Sequence, residues 1–489
     1  MHLLMTSFKI PRCMSTQHPD NVNAPFFAES PEMGGEDEIQ EAYYVFSHLA
    51  CDEQMWDCEG KEVDNFVVKK LLSKYEAYFR ENQLGKDVFL TLRVPNPIVE
   101  KDEAKILLET LESIPRSFDT AQLFYQNDTP PIFEVILPMT SSAISVDRVY
   151  KYYRDFVVGK QHMLFDDASP VSDWIGTFEP EKINVIPLFE DLDHMLEARN
   201  ITEEYITGKD LDYQRVFLAR SDPAMNYGDL SAILMNKIAL LNLQELEEES
   251  GVEICPIIGV GSAPFRGNLK PNNVEAIMEE YPSVHTFTVQ SAFKYDYSHD
   301  QVRNGIQKIN EASRQRAHEL DQERAKDIIQ RCSTEYRRQL TKLAPVIWEA
   351  SNFVPRRRKR KLHIGLFGYS RSMEGVKLPR AIGFCCALYS LGLPPELLGL
   401  NALTEKDLDF VRDVSPYFDH SMQDALRFMN PHSLDSLPQL KKAVELLDLD
   451  YETDAEHEKI TTYVTENIHG SKEVQEALLR AANLRGFLG

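Results

Sequence analysis

The sequence has no stretch long and apolar enough to cross a bilayer, since the longest such run, Ala381–Leu393, stops at Pro394-Pro395. Its first residues, MHLLMTSFKIPRCM, lack the apolar core and small-residue cleavage site of a secretory signal. Cysteine is sparse, 7 in 489 residues, and no two form a CxxC pair, so neither a disulfide framework nor a zinc site follows and a reducing compartment fits. A soluble, cytoplasmic protein is expected. Basic residues are in deficit, 53 Lys and Arg against 77 Asp and Glu, and the net charge is −24. Such a surface does not replace the counterions of a nucleic acid, and an anionic substrate would need a local cluster of arginines to overcome it. No repeat period and no low-complexity segment is present. With 43% hydrophobic and 27% charged residues the composition is that of an ordinary globular chain, long enough for about three domains or one large barrel with additions.

What the chain does contain is a succession of short apolar runs separated by helical patterns. After a polar, turn-rich opening to about Asn23, helical patterns are expected over Glu36–Trp56 and Val63–Asn82. Strands are then expected at DVFLTLRV from Asp87, PIFEVILPM from Pro131, INVIPLFE from Ile183, RVFLARSD from Arg215, EICPIIGVG from Glu253, VHTFTVQ from Val284, LHIGLFGYS from Leu362 and, most weakly, LLGLNAL from Leu397. Short, bounded apolar strands with helical crossovers mark a parallel sheet, and eight of them predict a (β/α)8 TIM-type barrel. The expected organisation is an N-terminal loop and helices over 1–86, the barrel over 87–415 with a charged helical insertion near 299–350, and a C-terminal helical region over 416–489.

A barrel carries its chemistry at the C-terminal ends of its strands. Arg93, Glu190, Asp222 and Gln290 fall at such ends, and Arg371 just beyond one. Glu190 and Asp222 are about one βα unit apart. Either each caps a following helix, or the two supply hard oxygen ligands to Mg²⁺ or Mn²⁺. GVGSAPFRGN, from Gly259, allows close backbone approach to an anion with Arg266 beside it; a structural turn accounts for it equally well. Arg371 and Arg380 bracket a second glycine-containing loop and suit bidentate recognition of phosphate or carboxylate, or surface ion pairs. His18, in CMSTQHPDN, acts only if its loop folds over the barrel mouth. The run RRRKRK from Arg356 reads as a solvated entry to the Leu362 strand, with a nucleic-acid patch as the alternative.

Together KIPRCMSTQHPDN, YYVFSHLACDEQMWDCEGKEVD, RSDPAMNYGDLSA, GVGSAPFRGNL and FGYSRSMEGVKLPRAIGF resemble the archaeal-type phosphoenolpyruvate carboxylases. The resemblance runs to about Leu400 and resumes in the closing RAANLRGFLG. It implies a barrel with extra helices, a homotetramer, and the conversion of phosphoenolpyruvate and bicarbonate to oxaloacetate and phosphate with Mg²⁺ or Mn²⁺. It implies metal ligation by Glu190 and Asp222, a carboxylation role for His18, and bicarbonate and carboxyphosphate held by Arg266. Arg371, Arg380 and Arg93 would serve the phosphate and enolate. The larger bacterial and plant form has a lysine where this chain reads Pro223-Ala224-Met225 and an arginine near Val260; Arg220, Lys294 or the basic run could replace that charge. A metal-dependent barrel aldolase or lyase is the other enzymatic reading, and a nucleic-acid binder using the basic run the non-enzymatic one.

Overall fold

The computed structural model describes residues 9–58, 64–166, 168–359, 371–373, 376–434, 437–469 and 472–489. Eight parallel strands close into a barrel in sequence order: β1 (Cys13–Ser15), β2 (Glu53–Asp57), β3 (Phe89–Arg93), β4 (Glu134–Leu137), β5 (Asn184–Phe189), β6 (Tyr213–Ala219), β7 (Glu253–Gly259) and β8 (Thr286–Val289). Closure is made by β8 on β1, with Cys13 opposite Phe287. The (β/α)8 architecture is as expected, but its numbering moves by two. The strand expected to open the barrel at Asp87 is β3, and two strands lie in the segment assigned to a preceding loop and helices. The expected boundary at residue 87 therefore falls inside the barrel. The helical pattern over Glu36–Trp56 holds only for Glu36–Ser47; Glu53–Asp57 is strand.

At the other end, the strand expected at Leu362 falls on residues 362–370, which lie outside the described residues, and the one expected at Leu397 is not a barrel strand. Arg371–Met373 (β9) and Val376–Leu378 (β10) form a separate antiparallel pair. Leu397–Leu403 is not a strand but two 3-10 turns, Pro395–Leu397 and Leu400–Ala402, begun by Pro394-Pro395 and broken by Gly399, whose φ is +90°. The region near 299–350 is two helices, His299–Glu311 and Gln322–Ser351, which follow β8 and so occupy the place of the last barrel crossover.

Strand alternation sorts the barrel interior into layers. At the bottom, Arg215 donates to Glu53 Oε1 and Glu134 Oε2, both at 2.8 Å, and to Glu53 Oε2 at 2.7 Å, with all three side chains buried. Buried charge persists only when paired in this manner. Further along the strands, Met14, Met55, Ile136, Ile186, Leu188, Phe217 and Ile257 form an apolar plug. Beyond it, Asp57, Arg93, Glu190 and Gln290 stand at the upper rim. Outside, Asp229–Ser250 is apolar nearly all round because it packs against both β7 and the helix Gln322–Ser351. No single helix among the described residues is long and apolar enough to cross a membrane.

Candidate active site

The loop after β1 folds over the barrel mouth, as a role for His18 requires. Asp20 accepts from the Ala292 N–H at 2.7 Å, and the N–H groups of Val22 and Asn23 donate to Asp296 at 2.7 and 2.8 Å. Arg357 donates to the carbonyls of Asn21 and Val22 at 3.2 and 2.6 Å. Several of the loop's backbone polar groups are thus satisfied without regular structure.

Beneath it lies a cavity of about 610 Å³ lined by His18, Arg93, Glu190, Asp222, Arg266, Gln290 and Arg380. Seven of the eight residues singled out in the sequence therefore meet in one place. The eighth, Arg371, opens β9 and is paired in register with Leu378, two residues before Arg380.

Arg93 is held by a residue that the sequence pattern concealed. Its Nε and Nη2 donate to Asp57 Oδ1 and Oδ2 at 3.1 and 2.7 Å, and the two residues are direct neighbours on β2 and β3. A bidentate pair of this kind fixes the plane of the guanidinium. Glu190 follows β5, is 7% exposed, and accepts the Met139 N–H at 2.6 Å. Asp222 stands in the first turn of the helix Ser221–Tyr227 after β6. Because β5 and β6 are paired, the two carboxylates rise from adjacent strand ends into the same cavity.

Arg266 sits at the centre of the far wall. Its Nε donates to Ser221 Oγ at 3.0 Å, Nη1 to Asp20 at 3.2 Å and to the Gly489 main-chain oxygen at 2.8 Å, and Nη2 to Gln290 Oε1 at 2.5 Å. The preceding loop is closed by Gly261 N–H on the Arg266 carbonyl at 2.7 Å. Gly267 has φ +108°, and a Cβ there would stand 2.5 Å from Val260 Cγ1, so this turn requires glycine.

Within the basic run, expected as a solvated strand entry, Arg357 and Arg358 are withdrawn from solvent while Arg356 is exposed. Arg356, Arg357 and Arg358 line the cavity, and Arg357 and Arg358 are buried. Arg358 donates to both oxygens of Glu41 at 2.6 and 2.8 Å, and Lys294 reaches the same carboxylate at 2.9 Å. Burial pushes the Glu41 pKa up, but Arg358 and Lys294 outweigh it and hold the carboxyl well below the usual range. Arg220 is locked to Asp229 at 2.6 Å. Lys294 and Arg220 thus each have a carboxylate partner within the protein, and Arg220 also lines the cavity.

Among the described residues no group of three or more His, Cys, Asp and Glu is arranged to hold a metal ion. The donor set at the strand ends is the two hard oxygens of Glu190 and Asp222. This fits an ion that keeps water and substrate in most of its positions, as Mg²⁺ does.

The phosphoenolpyruvate carboxylase family model matches residues 10–489. The chain is 60% identical to the phosphoenolpyruvate carboxylase of Methanothermobacter thermautotrophicus over 98% of its length and all of the relative's. The enzymes of the same name from Methanospirillum hungatei and Pyrococcus abyssi are 53% and 50% identical, each over 98% of this chain and all of the relative. Among solved structures, a malate synthase from Haloferax volcanii aligns with 91% of this chain and 100% of its own at a TM-score of 0.40 and 10% identity. Spanning the cavity and every element that builds it, the sequence match makes this chain a member of the archaeal-type phosphoenolpyruvate carboxylase family.

Proposed function

We propose that the cavity carboxylates phosphoenolpyruvate with bicarbonate, releasing phosphate and oxaloacetate through carboxyphosphate and the enolate of pyruvate. The observation that carries the reading is the convergence of arginines and two carboxylates on one cavity in a chain of net charge −24. Arg93 and Arg380, with Arg371, bind the phosphate and carboxylate of the substrate. Arg266 orients bicarbonate, whose oxygen attacks phosphorus while the bond from phosphorus to the enol oxygen breaks. Carboxyphosphate then splits at its carbon–oxygen bond to CO₂ and phosphate beside His18, and the enolate carbon adds to CO₂. The pinned loop over the mouth excludes water, which would protonate the enolate to pyruvate. Glu190 and Asp222 would hold Mg²⁺ or Mn²⁺. When bound, the ion supplies positive charge to the oxygens that become anionic. A homotetramer belongs to the same reading, and light scattering on the purified protein checks it.

The test couples oxaloacetate to malate dehydrogenase and NADH in the presence of phosphoenolpyruvate, bicarbonate and Mg²⁺. Bicarbonate-dependent NADH loss is expected, and Asp222→Asn should lower it by two or more orders of magnitude, about 3 kcal/mol of barrier. A folded, metal-loaded protein with no signal would return the site to the aldolase or lyase reading.

A further inference from the structure

His18 is not free to turn in its loop. Its Nδ1 lies 2.9 Å from Thr16 Oγ1, and its own carbonyl accepts from the N–H groups of Asp20 and Ser291 at 3.1 and 3.2 Å. Thr16 is itself fixed, with its N–H on the Val289 carbonyl at 3.0 Å at the seam where the barrel closes. Its carbonyl accepts from Lys294 Nζ at 2.9 Å, and Lys294 also holds Ser15 Oγ at 2.9 Å and Glu41 at 2.9 Å. Thr16 and Lys294 are wholly or nearly wholly buried.

We propose that Thr16 is a positioning residue for His18, holding the Nδ1 edge of the imidazole against the end of β1 so that the Nε2 edge is the one turned to the cavity. This rests on the carboxylation reading of the site. A hydroxyl is suited to the task because it both donates and accepts, so it follows the ring whichever nitrogen carries the proton. A carboxylate or carbonyl partner would favour one form only. Lys294, anchored by Glu41, makes the support rigid rather than entering the chemistry. Orientation of this kind is what a reacting group needs from its surroundings, since a displacement of about 1 Å is enough to cost on the order of a hundredfold in rate.

The experiment measures how consumed phosphoenolpyruvate divides between oxaloacetate and pyruvate in Thr16→Val, Thr16→Ser and His18→Asn, each in the full-length, metal-loaded enzyme. Valine keeps the shape of threonine and removes the hydroxyl; serine restores it. Thr16→Val is expected to shift the division towards pyruvate at least fivefold with little change in the KM for phosphoenolpyruvate, and Thr16→Ser to return it to within twofold of the parent. A Thr16→Val enzyme that divides its product as the parent does, while His18→Asn shifts towards pyruvate, overturns the positioning role. Should His18→Asn itself leave the division unchanged, the assignment of His18 to carboxylation fails instead. Equal loss of both products in the valine and serine variants would mark a packing defect and likewise overturn the proposal.

Discussion

At the scale of the residue, the site is built from charges that are matched before any substrate arrives. Arg93 has Asp57, Arg266 has Asp20, and Arg358 has Glu41. The two-nitrogen fork on Asp57 fixes the plane of Arg93, and Arg266 is held by four hydrogen bonds from its three nitrogens, so both orientations are prepared in advance of binding. Asp57→Asn removes the charge and half of the fork on Arg93. The expected result is a fall in kcat/KM for phosphoenolpyruvate of about tenfold or more, on the order of 1.4 kcal/mol, measured by steady-state kinetics. Glu41 predicts a pH effect. Its carboxyl is held below the ordinary range in the folded protein, so its contribution to stability is complete above the ordinary glutamate pKa of about 4.3 and is lost as pH falls through and below that value. Glu41→Gln should therefore melt well below the parent at pH 7, and the gap should narrow only as the pH is taken below about 4, as read by thermal unfolding.

Among the elements, the loops that aim the site depend on particular backbone shapes. Gly267→Ala places a side chain at φ +108° and against Val260, and should displace Arg266, which is the preceding residue. A loss of about 1–3 kcal/mol in stability and at least a tenfold loss of activity are expected, from calorimetry and the coupled assay. The bottom of the barrel makes the opposite prediction. Glu53→Gln leaves Arg215 with half its counter-charge in a fully buried layer, below the apolar plug and away from the cavity. Unfolding should become easier by about 3 kcal/mol while the KM of the surviving folded enzyme stays near that of the parent.

The elements also show why sequence reading placed some strands and missed others. β3 to β8 are bounded and mostly apolar, with single polar residues such as Glu134 and Arg215 set among hydrophobic neighbours. β2 carries Glu53 and Asp57 on its inward positions, one serving the ionic floor and the other Arg93, so its pattern is that of a polar surface segment. β1 has only three residues, too few for a period to register. Two strands go unseen at the start, and the weak apolar run at Leu397 reads as a strand although Pro394-Pro395 and Gly399 make it two 3-10 turns.

At the scale of the whole molecule, the sequence by itself determined the family, the barrel, and seven of the residues that line the cavity. It could do so because the strand–loop junctions of a parallel barrel all face one way, so a residue's position in its own strand already says which end of the molecule it occupies. Only the tertiary structure decided which strands close the barrel, that the N-terminal loop covers its mouth, and that Arg357 and Arg358 are buried. It also decided that Asp57 holds Arg93, Thr16 meets His18, and Glu41 joins Lys294 to Arg358. Those placements depend on partners far away along the chain, 36 residues for Arg93–Asp57 and 336 for Arg357–Asn21. A buried charge is stable only with its counter-charge, and the identity of that partner is a property of the closed fold that no local pattern encodes.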